Sequence, residues 1–94
     1  MNKNIYVCRN NLACENVTDI FSMNNDALAA QGFISFVKAA TEKTGEKDTH
    51  FSLWRLGVYK PNSLTINADD ESAVEVCKGI EEANNIIASY EENA

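Results

Sequence analysis

The chain lacks the residues and patterns on which several classes of protein depend. Its 94 residues include one proline, one histidine and four scattered glycines, and its three cysteines form no CxxC pair. A glycine-rich phosphate loop, a standard zinc site and a disulfide framework are therefore not predicted. No apolar run approaches the length of a bilayer span, and Met1–Ile5 lacks the apolar stretch of a signal peptide. We expect a cytoplasmic protein that does not associate with membranes.

Basic residues are also scarce, and the charge is unevenly placed. Eight basic and fourteen acidic residues give a net charge of −6. Residues 69–94 carry a net charge of −7, whereas residues 1–68 carry a net charge of +1. Electrostatic binding of DNA over the whole surface is therefore not expected, because affinity of that kind comes from cations that displace phosphate counterions. Any contact with nucleic acid has to use the near-neutral body, residues 1–68, and not the acidic C-terminal segment.

The reactive side chains form no recognisable catalytic or metal-binding set. Cys8 and Cys77 lie in apolar segments, which is typical of cysteines that act as small buried hydrophobes. The acidic run 69–71 does not match the spacing of a calcium-binding loop and suits the start of a helix better. The sequence therefore predicts a protein that is not an enzyme and that uses no metal and no cofactor.

The first half of the chain predicts strands followed by a helix. Residues 4–9 are rich in β-forming side chains, the Asn10–Asn11 pair indicates a turn, and residues 17–22 form a second β-prone stretch. Asn and Asp side chains at 24–26 then suit a helix N-cap. The apolar residues that follow lie at helical spacing on one face: Ala30, Phe33, Ile34, Val37 and Ala40. We expect this helix to end around 41–45.

The second half repeats this order. Residues 51–59 are the clearest strand, which places Phe51, Leu53 and Tyr59 on one face and Trp54, Leu56 and Val58 on the other. Gly57 within this strand predicts a bulge or a close backbone approach. A turn at 60–63, a short edge strand at 64–67 and a helix from Ala73 complete the pattern.

The last predicted helix carries an apolar stripe at steps of three and four, formed by Ala73, Val76, Ile80, Ala83, Ile87 and Tyr90. Two interpretations remain open. The stripe can cover the protein's own sheet, which we favour, or it can form an interface with a partner or a second copy.

These elements predict one α+β domain over residues 1–94, with two helices on a small antiparallel sheet in ββαββα order. Since the strand at 51–59 is apolar on both faces, it needs a cover on both sides. A second copy would supply the missing cover, so we expect a homodimer.

Aromatic and basic residues coincide on two of the predicted strands. If these strands are neighbours, the side chains can form a stacking platform for single-stranded bases, worth ~1–3 kcal/mol per base. The platform would comprise Tyr6 and Arg9 on one strand and Trp54, Arg55 and Tyr59 on the other. The alternative is that the same aromatics belong to the core or to a dimer interface.

Two segments carry a family resemblance. Residues 25–33 (NDALAAQGF) and 51–59 (FSLWRLGVY) resemble the small nonstructural protein of gokushoviruses, single-stranded DNA bacteriophages of the Microviridae. The resemblance covers residues 4–67. Family members often have His-Pro-x-Asp before the second segment and an Asp-rich turn after it, whereas this chain has Asp48-Thr49-His50 and Lys60-Pro61-Asn62. The acidic C-terminal helix is also longer than the family's short tail.

The resemblance implies a DNA-binding nonstructural factor that acts during synthesis of the single-stranded genome, before packaging. Its partners would be single-stranded DNA or replication proteins in the host cytoplasm. The alternative that the residues leave open is a small dimeric interaction module, which would bind a host or viral protein through the acidic helix.

Overall fold

The protein folds as the expected α+β domain, with an antiparallel sheet and two helices. The computed structural model describes residues 3–60, 65–68 and 73–92. Its strands are β1 (Lys3–Asn10), β2 (Glu15–Asn16), β3 (Phe21–Met23), β4 (Phe51–Lys60), β5 (Thr65–Ala68) and β6 (Val74–Lys78). Its helices are α1 (Asp26–Thr44) and α2 (Gly79–Glu92), with a short 3-10 helix at Asp48–His50. The predicted turn after Lys60 and the acidic run before Ala73 lie outside the described residues.

The two longest strands, β1 and β4, form the centre of the sheet. They pair antiparallel along their whole lengths, from Lys3 opposite Tyr59 to Asn10 opposite Phe51. The short strands β2 and β3 pair with β1, and β5 and β6 pair with β4. Each long strand is therefore flanked by two short strands on its outer edge.

Within the described residues, each half of the chain contains one more strand than the sequence pattern predicts. In both halves a long strand is followed by two short strands and then a helix, so the observed order is βββα twice. In place of the predicted single strand at 17–22 there are two short strands, and between them Thr18 contacts β1 through its side chain. The Cys8 N–H donates to Thr18 Oγ1 at 3.0 Å, where a ladder bond would otherwise form.

Helix α1 begins and ends where its local signals indicate. Asn25 is extended, and its Oδ1 accepts the Leu28 N–H at 2.9 Å, which is the bond expected of an N-cap. Gly45 ends the helix in the left-handed conformation at φ 76°, and its N–H donates to the Thr41 carbonyl. The predicted boundaries are therefore confirmed.

Helix α2 begins later than predicted. Ala73 precedes β6 and Val76 lies within it, so the first two positions of the predicted helical stripe are not helical. The chain changes direction at Gly79, which has φ +77°, and a Cβ there would lie 3.1 Å from Asp48 Oδ2. That same carboxylate oxygen accepts the Ile80 N–H at 2.8 Å, so the 3-10 helix caps the start of α2.

Both helices cover one face of the sheet, and the core lies between the helices and that face. Phe33 and Val37 of α1 and Ala83 of α2 are fully buried against Leu53 and other sheet residues of that face. Ile80 and Ile87 are partly buried against the same core. The interpretation that the α2 stripe covers the protein's own core is therefore confirmed for its three inner positions: Ile80, Ala83 and Ile87.

A bulge in β4 reverses part of the predicted strand pattern. The register shifts so that Ile5 faces Gly57 while Tyr6 faces Arg55, which leaves Leu56 as the extra residue. The bulge expected from Gly57 is thus confirmed. Beyond it the alternation is inverted, and Val58 lies opposite Asn4 on the helix-covered face. The prediction that Val58 shares a face with Trp54 was wrong for this reason.

Candidate nucleic-acid interface

The sheet face opposite the two helices, here called the open face, brings together an aromatic and a basic residue. Val7 of β1 is paired with Trp54 of β4, and Arg9 is paired with Ser52 in the adjacent row. Directly opposite residues of antiparallel strands project from the same face of a sheet. Because Cys8 and Leu53 belong to the core beneath the helices, the alternate residues Val7, Arg9 and Trp54 project from the open face.

The indole of Trp54 is held in one orientation by a chain of hydrogen bonds. Its Nε1 donates to Ser52 Oγ at 2.7 Å, and the Ser52 hydroxyl donates to Asn11 Oδ1 at 2.9 Å. Ser52 is fully buried, whereas Trp54 is half-buried. Part of the indole therefore stays accessible on a ring whose polar edge already has its partner.

Arg9 is positioned by the turn that joins β1 to β2. Its guanidinium donates to Asn16 Oδ1 at 3.2 Å and to the Cys14 carbonyl at 2.9 Å. The turn is itself held by Asn10, whose Oδ1 accepts the backbone N–H groups of Leu12 and Ala13. Both partners of Arg9 are uncharged, so neither of them compensates the charge of the guanidinium, which has donors left for a ligand.

A concavity of about 270 Å³ lies between these two residues on the open face. Its lining combines apolar surface with polar groups at one end, and comprises Val7, Arg9, Asn16, Trp54, Leu56 and Ala73. An indole edge beside aliphatic side chains suits a flat aromatic group, and a guanidinium suits an anionic oxygen. A nucleotide carries both groups, a base and a phosphate.

Tyr6 and Arg55 lie on the other face of the sheet. Tyr6 is fully buried, and its hydroxyl donates to Asp26 Oδ1 at 2.6 Å while accepting from the Asn4 amide at 2.9 Å. Arg55 lies opposite Tyr6 and is 3.6 Å from Asp26 Oδ2. A ring without accessible surface cannot stack on a base, so the prediction that Tyr6 and Arg55 share a platform with Trp54 is corrected.

The contacts around Asp26 stabilise the fold and are not available to a ligand. Burial, reinforced by the hydrogen bond to Asp26, raises the pKa of the Tyr6 hydroxyl well above its ordinary value, so the phenol stays protonated. The Tyr6 ring also stacks on Phe21 of β3, with centroids 5.8 Å apart. These contacts tie β1, β3 and β4 to the first turn of α1.

Two other predicted sets of residues are placed differently. The side chain of Tyr59 lies outside the described residues, although its backbone is paired with Lys3. Of the proposed partner stripe, only Tyr90 is exposed, with 44% of its surface accessible, and it contributes with Leu28 to a groove between the start of α1 and the end of α2. Ala73 lines the open-face concavity instead of a helix surface.

The thiols differ sharply in their surroundings. Burial raises the pKa of Cys8 to about 11 and that of Cys77 to about 12, and no disulfide joins them. Cys14 is exposed. Within the described ranges no group of three His, Cys, Asp or Glu side chains could hold a metal ion, and no helix is long and apolar enough to cross a membrane.

Sequence reasoning missed Ser52 and Asn16, which orient Trp54 and Arg9. A signal existed for Ser52, because residues two apart on a strand share a face and their side chains can meet. Strand alternation also separates Tyr6 from Arg9 and Trp54 from Arg55 without any structure. No local signal marks Asn16, since its role depends on the turn that returns the chain beside Arg9.

In comparisons with known proteins, no family model, no curated protein and no solved structure matches this chain. The candidate interface therefore stands on its own geometry.

Proposed function

We propose that this protein is a non-enzymatic accessory protein that binds single-stranded nucleic acid on the open face of its sheet. The observation that carries the proposal is the concavity between Trp54 and Arg9. An accessible ring provides stacking for a base of any sequence, and the adjacent guanidinium provides a contact for a phosphate. Single strands are favoured over duplexes because the faces of duplex bases are stacked on one another.

The distribution of charge supports a local contact in a protein that is acidic overall. Glu81, Glu82 and Glu91 are exposed on α2, which covers the opposite side of the sheet from Arg9. At physiological ionic strength, charges separated by more than about 8 Å are largely screened from one another. The acidic helix therefore opposes binding on the open face much less than the net charge of −6 suggests.

The resemblance of residues 4–67 to gokushovirus nonstructural proteins supports a place for this activity in phage biology. In that setting the protein would act in the host cytoplasm during synthesis of the single-stranded genome, by contact with the DNA or with replication proteins. It would need no cofactor, because stacking and phosphate contacts suffice for binding.

The proposal is tested by fluorescence anisotropy of a labelled single-stranded DNA oligonucleotide at low and moderate salt. We expect binding that weakens as salt rises, because Arg9 displaces phosphate counterions. Trp54→Ala should weaken binding by about tenfold, within the range measured for loss of one stacked base. Tyr90→Ala, which removes an exposed aromatic ring from α2, is the matched control and should leave binding unchanged.

Trp54→Phe separates a lost ring from a damaged fold, since it keeps an aromatic ring and loses only the hydrogen bond to Ser52. It should bind DNA more tightly than Trp54→Ala, and circular dichroism should show folded protein for each variant. The proposal is overturned by wild-type protein that fails to bind at low salt. It is equally overturned if Trp54→Ala and Tyr90→Ala bind alike.

The predicted homodimer concerns the same face. A second copy seated on the open face would cover Trp54 and Leu56, and this would satisfy the two-sided apolar pattern of β4. Such a dimer would compete with nucleic acid. Light scattering at micromolar concentration should then give a dimer mass that falls when DNA is added, whereas a monomer mass without DNA contradicts the dimer.

The alternative function, an interaction module that binds a protein through its acidic helix, has less support. The apolar stripe that was to form the interface is largely used within the chain, because Ala83 is fully buried and Ile80 and Ile87 pack on the core. What α2 leaves at its surface is mainly acidic and amide side chains together with Tyr90.

A further inference from the structure

One row of residues crosses three strands on the open face and carries a positive charge at each end. Arg9 of β1 is paired with Ser52 of β4, and Ser52 is paired in turn with Lys78 of β6. The three residues therefore lie in line across the sheet, on the face that also bears Trp54. Adjacent strands are about 4.8 Å apart, so the Cα atoms of Arg9 and Lys78 are separated by about 10 Å.

Lys78 is placed to offer its ammonium group to a ligand. Its side chain is exposed, and within the described part of the chain no carboxylate lies at ion-pair distance from it. Its backbone is fixed, because the Lys78 N–H donates to Glu82 Oε1 at 3.0 Å and the next residue begins α2. A lysine of this kind has an anchored main chain and a free charge.

The adjacent row differs in chemistry. Val7 is paired with Trp54, and Trp54 is paired with Glu75 of β6. In this row Val7 is buried, Trp54 is half-buried and offers aromatic surface, and Glu75 carries an exposed carboxylate, which repels phosphate. The two rows are about 7 Å apart, two residues along a strand, so one suits phosphates and the other suits bases.

We infer that a bound single strand crosses the sheet at a steep angle to β4, with its phosphates at Arg9 and Lys78, on either side of the buried Ser52, and its bases toward Trp54. Lys78 is then a second phosphate contact, and Glu75 keeps the backbone out of the neighbouring row. This inference rests on the proposed function, and it adds the path of the strand and two residues that determine it.

Two pairs of charge-neutralising variants test the path in the same anisotropy titration. Lys78→Gln is compared with Lys38→Gln, which removes an exposed lysine from α1, and Glu75→Gln with Glu42→Gln, which removes an exposed acid from α1. The control residues lie in the helix layer, away from the open face. All four substitutions keep side-chain length close to the original and leave the core untouched.

We expect Lys78→Gln to weaken binding by about fivefold and to reduce the salt slope by about 0.7, the value for one phosphate contact on a single strand. Glu75→Gln should tighten binding by about twofold, a gain that a damaged fold cannot produce. Both controls should match the wild type. The inference is overturned if wild-type protein binds while Lys78→Gln and Lys38→Gln behave alike, or if Glu75→Gln weakens binding. Wild-type protein that fails to bind would instead overturn the proposed function itself.

Discussion

The two faces of the central sheet are built from alternate residues of the same strands, yet their polar side chains differ in how far their binding groups are already occupied. On the helix-covered face, Tyr6 and its neighbours Asp26 and Arg55 satisfy one another. On the open face, Trp54 and Arg9 are oriented by Ser52 and Asn16, and each keeps part of its surface free. Residues adjacent in sequence, such as Trp54 and Arg55, therefore have different roles.

This difference shows how so small a domain can hold both a core and a binding surface. A buried polar group destabilises the fold unless it is hydrogen-bonded, so the polar groups of the covered face bond to partners within the protein. On the open face the internal hydrogen bonds orient Trp54 and Arg9 but leave the aromatic ring and the guanidinium accessible to a ligand. The covered face should thus control stability and the open face should control binding.

The largest expected effect comes from removing a large core side chain beneath the helices. Phe33→Ala should lower the free energy of unfolding by about 3–5 kcal/mol, because the ring is fully buried between α1 and the sheet. Leu56→Ala on the open face should lower it by about 1 kcal/mol, since that side chain is only half-buried. Urea denaturation followed by circular dichroism measures both.

Equal losses for the two variants would contradict the comparison, because they would mean that the open face is as fully covered as the other. A second copy on that face would have this effect. The denaturation should therefore be repeated over a range of protein concentrations, where a stability that rises with concentration indicates an oligomer.

A smaller effect is expected from the buried hydroxyl of Tyr6. Tyr6→Phe should lower the free energy of unfolding by about 1–3 kcal/mol, because it leaves Asp26 Oδ1 and the Asn4 amide without their partner. Tyr90→Phe is the control and should have almost no effect, since Tyr90 is exposed. DNA binding by folded Tyr6→Phe should equal that of the wild type, and a selective loss of binding would return Tyr6 to the interface.

Features that depend on nearby residues could be predicted from the sequence. The start of α1 follows from Asn25, whose side chain reaches only three residues ahead, and the bulge follows from Gly57. Features that depend on distant partners could not. The segment Val74–Lys78 fits a helical pattern as well as an extended one, and it becomes a strand because β4, whose paired residues lie 19 to 26 positions earlier in the chain, is available for pairing.

The candidate site shows the same division. The stacking platform required that the strands carrying Arg9 and Trp54 be neighbours, and in the structure these strands, β1 and β4, are paired. Which residues share a face depends on strict alternation and on the bulge. Alternation alone would have separated Tyr6 from Arg9 and Trp54 from Arg55, but only the structure shows which of the two faces the helices cover. Lys78 could not be found, because the sequence pattern placed it on a helix and only the register with Ser52 brings it to the open face.

The smallest expected effect, counted per pH unit, is the change in the free energy of unfolding that comes from ionisation of thiols on the covered face. Burial raises the pKa of Cys8 from an ordinary 9.0 to about 11, so the fold favours the protonated thiol. The stabilisation is complete below pH 9 and is lost as the pH rises from 9 through 11, by about 1 kcal/mol per pH unit for one thiol. Cys77, with a pKa raised to about 12 by burial, adds a fall of the same sign.

Urea midpoints measured from pH 7 to 11 under reducing conditions test this dependence. Cys8→Ala should show a shallower fall above pH 9 than the wild type, even though the lost side chain makes it less stable at pH 7. Cys14→Ala should follow the wild-type curve, because Cys14 is exposed in the β1–β2 turn and does not belong to the covered face. If Cys8→Ala and Cys14→Ala fall in parallel, the alkaline loss belongs to other groups, of which Tyr6 is the first to test, since its pKa is also raised by burial.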